Sequence, residues 1–163
     1  MDFPDEDVMA LRMNDSDEPL IEEGLKPGSI WVLVFDGAVN AYGHGIGFVI
    51  ITPRGSHIPF AARLDFDCTN NIVEYEACIF GMEESIDTRI KFLEVFGDST
   101  LVINQIKGEW ETRHLCLIPY RDYARSLSTF FTKVEFHHIP RDENQIAYAL
   151  ATLSSMYQVN MYR

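Results

Sequence analysis

Basic residues are scarce in this chain. Over 163 residues, 13 lysines and arginines stand against 25 aspartates and glutamates, a formal net charge of −12. That balance excludes a protein that grips nucleic acid with a broad cationic face, because such binding is driven by releasing counterions from phosphates. Any polyanion has to be held locally, by metal ions, helix N-termini and a few cations. Long apolar runs are missing as well. None approaches the ~18 residues of a membrane-spanning helix. The opening MDFPDEDVMA has no basic stretch followed by an apolar one, so no secretory signal is read. An intracellular setting, cytoplasmic or nuclear, is expected, with no membrane partner. Cysteine is limited to Cys68, Cys78 and Cys116. Their number is odd, their spacing matches no zinc pattern and their neighbours are apolar, so they read as reduced core thiols.

What is present describes one packed domain, since hydrophobic residues make up 47% of the chain and aromatics 12%. Charge is distributed unevenly. Residues 1–29 hold nine acids against Arg12 and Lys26, a net of −7 that leaves −5 for the other 134 residues. With Pro4, Pro19, Gly24, Pro27 and Gly28 and little periodicity, residues 1–28 are expected to be a poorly ordered acidic linker or tail. The domain is expected over 29–157, with a short tail at 158–163.

Within the domain the hydrophobic period switches between two and 3.6. Ile30-Trp31-Val32-Leu33-Val34-Phe35-Asp36 is apolar on both faces, the mark of a central strand. Two further strand patterns, at 45–52 and 58–64, flank the turn Pro53-Arg54-Gly55. Residues 70–89 carry helical spacing, 92–96 a short strand, and 98–107 a helix with Asp98, Ser99 and Thr100 suited to its cap. A helix near Pro119, a strand at 133–139 and a helix at 142–156 complete the order. This succession predicts an α/β fold: a five-stranded mixed sheet, three antiparallel strands then two parallel ones, with helices on both faces. Phe130 and Phe131 read as core, and Trp110 as packed on a neighbouring helix, with substrate contact by Trp110, Lys107 and Arg113 as the alternative.

Three acids fall at ends of separate elements: Asp36 on the central strand, Glu74 in the first turns of the first helix, and Asp98 at a strand-to-helix junction. Taken singly, each has an ordinary reading as a turn residue, a first-turn acid or a cap. Taken together on this element order, they converge beyond strand ends, where open sheets gather ligands. Oxygen-only ligand sets suit hard divalent cations, which in pairs activate water and stabilise the leaving oxygen of a phosphodiester. The glycines at 43, 45 and 47 offer a phosphate-loop alternative, but no G-x-G-x-x-G runs into a helix there.

The flanking residues carry a specific likeness. Phe35-Asp36-Gly37-Ala38, Gly43-His44-Gly45-Ile46-Gly47, Thr69-Asn70-Asn71-Ile72-Val73-Glu74, Gly97-Asp98-Ser99 and His138-Ile139-Pro140-Arg141-Asp142-Glu143-Asn144 resemble the successive motifs of type 1 ribonuclease H, in order, over roughly residues 30–156. Asn-Ile-Val-Glu-Tyr-Glu-Ala-Cys and Gly-Asp-Ser-Thr-Leu-Val-Ile are most similar to the ribonuclease H segment of a plant gypsy-class LTR retrotransposon polyprotein. The resemblance implies a ribonuclease H-like fold and endonucleolytic hydrolysis of the RNA strand of an RNA–DNA hybrid by two Mg²⁺ ions, with Mn²⁺ as a substitute. By the same resemblance, Asp36, Glu74 and Asp98 are catalytic metal ligands. Asn70, Asn71 and Asn144 bind substrate, Asn144 also positioning the last helix start, and His138, or its neighbour His137, is an auxiliary group. A reverse transcriptase domain in the same polyprotein is the implied partner, and the chain is expected to act as a monomer.

One position departs from the family. Where the fourth metal-binding aspartate would follow Asn144, this chain has Tyr148, and a neutral phenol with an unperturbed pKa near ~10 does not replace that charge. At ~100° per residue, Ile146, Ala149, Leu150 and Leu153 are expected to form the buried stripe of the last helix, leaving Tyr148 on the face that should feed the metals. Impaired cleavage is therefore expected, the escape being a substitute ligand from Asp142 or Glu143. The competing reading is a catalytically silent binding or structural module of a retroelement polyprotein.

Overall fold

The computed structural model describes residues 8–12, 29–66 and 69–156. Strands β1 (Val8–Arg12), β2 (Ile30–Asn40), β3 (Gly43–Ile51) and β4 (His57–Leu64) precede helix α1 (Asn70–Asp87). Strand β5 (Phe92–Gly97), helices α2 (Thr100–Lys107) and α3 (Ile118–Ser128), strand β6 (Lys133–His138) and helix α4 (Gln145–Met156) follow. The sheet order is β1-β4-β3-β2-β5-β6. Strands β2, β3 and β4 pair antiparallel, while β5 pairs parallel to β2 and β6 parallel to β5. This is the expected five-stranded arrangement with one strand added at its edge.

That added strand corrects the reading of the lead-in. Val8-Met9-Ala10-Leu11 is an uncharged apolar run inside an acidic segment, and its backbone pairs antiparallel with β4 from Val8↔Leu64 to Arg12↔Phe60. Pairing covers an edge that would otherwise expose a row of free peptide groups. Other residues of 1–28, Cys68, and the expected domain end and tail from 157 onward lie outside the described residues.

Strand β2 is central because both its faces are covered. Leu33 and Phe35 are fully buried and face α1. A side chain on Gly81 of that helix would stand 2.6 Å from Leu33 Cδ1. The close approach of α1 near the site depends on Gly37, where a Cβ would lie 2.6 Å from Val73 Cγ1 and 2.9 Å from the Val73 carbonyl carbon. On the opposite face α4 descends onto Gly47, where a Cβ would lie 2.5 Å from the Ala147 carbonyl oxygen and 2.6 Å from the Ala151 nitrogen. The expected turn forms between β3 and β4: Gly55 has φ +90° and donates its N–H to the Thr52 carbonyl at 2.8 Å.

Backbone-to-backbone packing at Gly47 also explains why the expected stripe on α4 is wrong. The helix buries Asn144, Ala147, Ala151 and Ser155, whereas Ile146 is 53% and Leu153 54% exposed and Ala149 is exposed too. A helix seated this close to a strand has room only for small side chains beneath it. Ile146 and Leu153 are turned outward, while Leu150 is half-buried with its Cβ against Gly47. Phe130 is likewise exposed while Phe131 is core, and Trp110 is half-exposed. Cys78 is a buried thiol as expected, and Cys116 is exposed in the loop before α3. No helix among the described residues is long and apolar enough to cross a membrane.

Candidate active site

Register places the first two acids side by side. Parallel pairing of β2 with β5 ends at Phe35↔Gly97, so Asp36 and Asp98 are the next residue on each chain. Strand β2 continues to Asn40 rather than ending at Asp36. The third acid, Glu74, is brought over from the first turns of α1, a helix whose start is fixed by Thr69 accepting the Ile72 N–H at its side-chain oxygen. Because Val73 rests on Gly37, the next side chain reaches the strand. One backbone group then serves both acids: the Gly37 N–H donates to Asp36 Oδ1 at 2.8 Å and to Glu74 Oε1 at 2.7 Å.

The remaining oxygens are left over. Asp36 Oδ2, Glu74 Oε2 and Asp98 Oδ2 are shielded from solvent and make no hydrogen bond. Each acid offers an oxygen, and these oxygens lie within 4.8 Å of one another. Burial, then the neighbouring Asp98 charge, pushes the Asp36 carboxyl above its ordinary range, partly offset by its hydrogen bonds. Glu74 is pushed well above its own, by burial first and then by sharing a proton with Asp36. Desolvated carboxylate oxygens without hydrogen bonds are costly unless a cation meets them. The donor set is all oxygen, so it fits a hard divalent cation such as Mg²⁺ or Mn²⁺.

Above these oxygens opens a cleft of about 490 Å³, lined among others by Asn70, Asp98, Arg141, Tyr148 and Thr152. Tyr148 is 42% exposed and shares this cleft with Glu74 and Asp98. Its backbone N–H continues α4 by donating to the Asn144 carbonyl at 3.1 Å. Arg141, which the motif reading gave no role, places its Nε 3.3 Å from Asp98 Oδ2. The available signal was a lone cation in an otherwise acidic Arg141-Asp142-Glu143 turn.

Other expected residues sit elsewhere. Asn144 is 1% exposed, and its Nδ2 donates to the Phe35 carbonyl at 2.9 Å. It ties the start of α4 to the central strand and offers no surface to substrate, which corrects its place among the binding residues. Asn70 lines the cleft, while Asn71 does not. Asp142 and Glu143 line a separate cavity with Val34 and Val49, so they are not substitute ligands here. His138 is exposed at the end of β6 opposite Gly97 and does not line the cleft. His137 stacks on Phe96 with ring centroids 4.8 Å apart and approaches Glu94 and Glu135 at 3.5 and 3.6 Å. The glycines at 43, 45 and 47 lie within strand β3, which removes the phosphate-loop alternative. Lys107 faces Glu109 at 3.5 Å.

Comparison with known proteins gives this geometry a family. Residues 34–154 match the model of a family described as reverse transcriptase-like. A ribonuclease HI from Halobacterium salinarum is 32% identical over 147 residues, 82% of this chain and 74% of the relative. A bifunctional protein from Mycobacterium tuberculosis is 31% identical over 83 residues, 51% of this chain and 23% of that protein. Among solved structures, the halobacterial ribonuclease H1 has a TM-score of 0.72 at 32% identity, over 77% of this chain and 96% of that one. The compost-derived LC11 ribonuclease H1, crystallised with an RNA/DNA hybrid, has a TM-score of 0.68 at 25% identity, over 76% and 95%. A foamy viral protease-reverse transcriptase is 15% identical with a TM-score of 0.60, covering 87% of this chain and 21% of that one, a likeness of fold. The carboxylates that close beneath the cleft thus sit on a ribonuclease H scaffold, and the chain belongs to the reverse transcriptase-like family.

Proposed function

We propose that this chain hydrolyses the RNA strand of an RNA–DNA hybrid endonucleolytically, at a rate reduced by Tyr148. The observation that carries the proposal is the convergence of Asp36, Glu74 and Asp98, each offering a carboxylate oxygen within 4.8 Å of the others, with one shielded oxygen on each that makes no hydrogen bond. Those three acids would hold Mg²⁺ or Mn²⁺, which when bound activates water and stabilises the leaving oxygen. The chain's own contributions are positional. Gly37 fixes Asp36 and Glu74 through one N–H. Asn70, at the open rim of the cleft, would meet the hybrid where the 2′-hydroxyl distinguishes RNA from DNA. Tyr148 supplies bulk and no charge where a fourth carboxylate would stand.

A ligand lost from such a site lowers turnover, each ~1.4 kcal/mol of transition-state stabilisation being tenfold in rate. The expected outcome is that Tyr148→Asp cleaves a labelled hybrid at least about tenfold faster than the natural chain in Mg²⁺. Equal rates for the two proteins would overturn the reading of position 148. A silent binding module is the second reading, favoured by the aromatic ring standing in the cleft beside Asp98. Hybrid binding without turnover in either Mg²⁺ or Mn²⁺ would establish it. The matched family description supports a reverse transcriptase domain as a partner in a longer polyprotein, and a retroelement origin fits the same match.

A further inference from the structure

Arg141 is the one basic side chain lining the carboxylate cleft among the described residues. It opens the single-turn 3-10 segment Arg141–Glu143 that leads into α4. Its Nε lies 3.3 Å from Asp98 Oδ2, the Asp98 side chain being 5% exposed and the arginine 69%. That oxygen is one of the three left without a hydrogen bond. The guanidinium therefore stands at the solvent side of a carboxylate that is otherwise closed off.

An exposed arginine has many rotamers, and a lone surface ion pair holds it weakly. Here a second anchor is present: the Arg141 Cζ stands 5.4 Å from the centroid of the Tyr148 ring. A guanidinium over an aromatic face gains a cation–π attraction that a point charge on a flexible stem exploits less well. Its charge also reaches further into the site, favouring the ionised form of Asp36. The residue that fails to supply a fourth carboxylate thus supplies a seat for a cation.

We infer that Arg141 is a tethered counter-cation of Asp98, seated on the Tyr148 ring, which must be displaced before a divalent ion can use that oxygen. The inference rests on Asp36, Glu74 and Asp98 being the metal-binding set. Displacement requires a competing cation at Asp98 or a competing anion at Arg141.

The test is a Mn²⁺ titration of the full chain, following the electron paramagnetic resonance signal of the free ion, with folding of each variant checked by circular dichroism. Arg141→Gln is expected to bind Mn²⁺ about tenfold more tightly than the natural chain, since a like charge beside the ligand is removed. Tyr148→Leu, which removes the ring and adds no charge, is expected to bind about threefold more tightly, because the guanidinium loses its seat but not its charge. In EDTA, Arg141→Gln should melt at a lower temperature than the natural chain, its Asp98 having lost its counter-charge. Equal or weaker Mn²⁺ binding by folded Arg141→Gln overturns the counter-cation. Tighter binding by Arg141→Gln with no change in Tyr148→Leu overturns the aromatic seat. If no chain binds Mn²⁺ better than Asp36→Asn, the ligand set itself falls, and this outcome is distinct from the other two.

Discussion

Replacing Asp36 by asparagine should make the metal-free protein more stable, although it removes a proposed ligand. Two unit charges 4.8 Å apart interact by roughly 3.5 kcal/mol at an effective dielectric of ~20. Neutralising Asp36 removes two of the three repulsive pairs in the cluster. Against this, the proton shared by Asp36 and Glu74 and the Arg141 charge near Asp98 already relieve part of the repulsion. A net gain of about 1–3 kcal/mol is expected, which for a domain of this size raises Tm by about 3–10 °C. Asparagine keeps the acceptor for the Gly37 N–H and can donate to Glu74, so little else changes. The dependence on pH has a definite sign. Asp36 and Glu74 both have folded-state pKa values raised above 3.8 and 4.5, so the folded protein binds more protons than the unfolded chain. Stability from these groups is fully present below the ordinary carboxylate range and is lost as pH rises through the raised values. In EDTA the natural chain should therefore lose stability more steeply than Asp36→Asn between acid and neutral pH. Thermal melts followed by circular dichroism across that range decide the matter. An unchanged or lower Tm for the variant near neutral pH, or parallel pH profiles, would refute the argument that this cluster is electrostatically loaded.

Two further changes probe the scaffold. Gly47→Ala places a Cβ 2.5 Å from the Ala147 carbonyl oxygen and 2.6 Å from the Ala151 nitrogen, both backbone atoms, so α4 must move as a body. A loss of about 2–4 kcal/mol is expected from overpacking, read as a fall in urea midpoint with an unchanged slope. Asn144→Ala removes the Nδ2 bond to the Phe35 carbonyl at 2.9 Å and should cost about 1–3 kcal/mol through the acceptor left unpaired in the core. The same midpoint measures it, and a neutral effect would return Asn144 to the substrate face.

Much of this architecture was legible in the sequence because periodicity reports burial directly. The double-faced apolar run of β2, the Pro53-Arg54-Gly55 turn and the helical spacing after Asn70 each specified an element and its neighbours. Asp36 and Asp98 were readable because they close strand patterns and Glu74 because it opens a helical one, and register then sets Asp36 beside Asp98. Helix α4 was not readable by the same rule. Of its expected stripe of Ile146, Ala149, Leu150 and Leu153, only Leu150 meets the sheet, and Gly47 draws the backbone so close that Ala147 and Ala151 are the buried positions. Asn144 was placed with substrate by resemblance alone; the structure keeps its other expected role, positioning the start of the last helix. Strand β1 was hidden by composition: five uncharged or single-charge positions are diluted by the acids around them. Arg141 carried no periodic signal at all, because its role comes from three elements meeting, and only coordinates join residue 141 to residues 98 and 148.

The fit of α4 onto Gly47 has a consequence for how such a site changes over time. What holds the helix is main chain against main chain at Gly47, the side chains of Asn144, Leu150 and two alanines, and bonds from Asn40 and Arg63 to Ser155, and none of these contacts involves the side chain at 148. That side chain projects into the cleft, apart from what keeps the helix in place. The packing of the helix is therefore independent of the residue there, whereas the charge balance of the cleft is not. A single substitution at 148 can thus alter the chemistry of the cleft while the packing that seats the helix stays as it is.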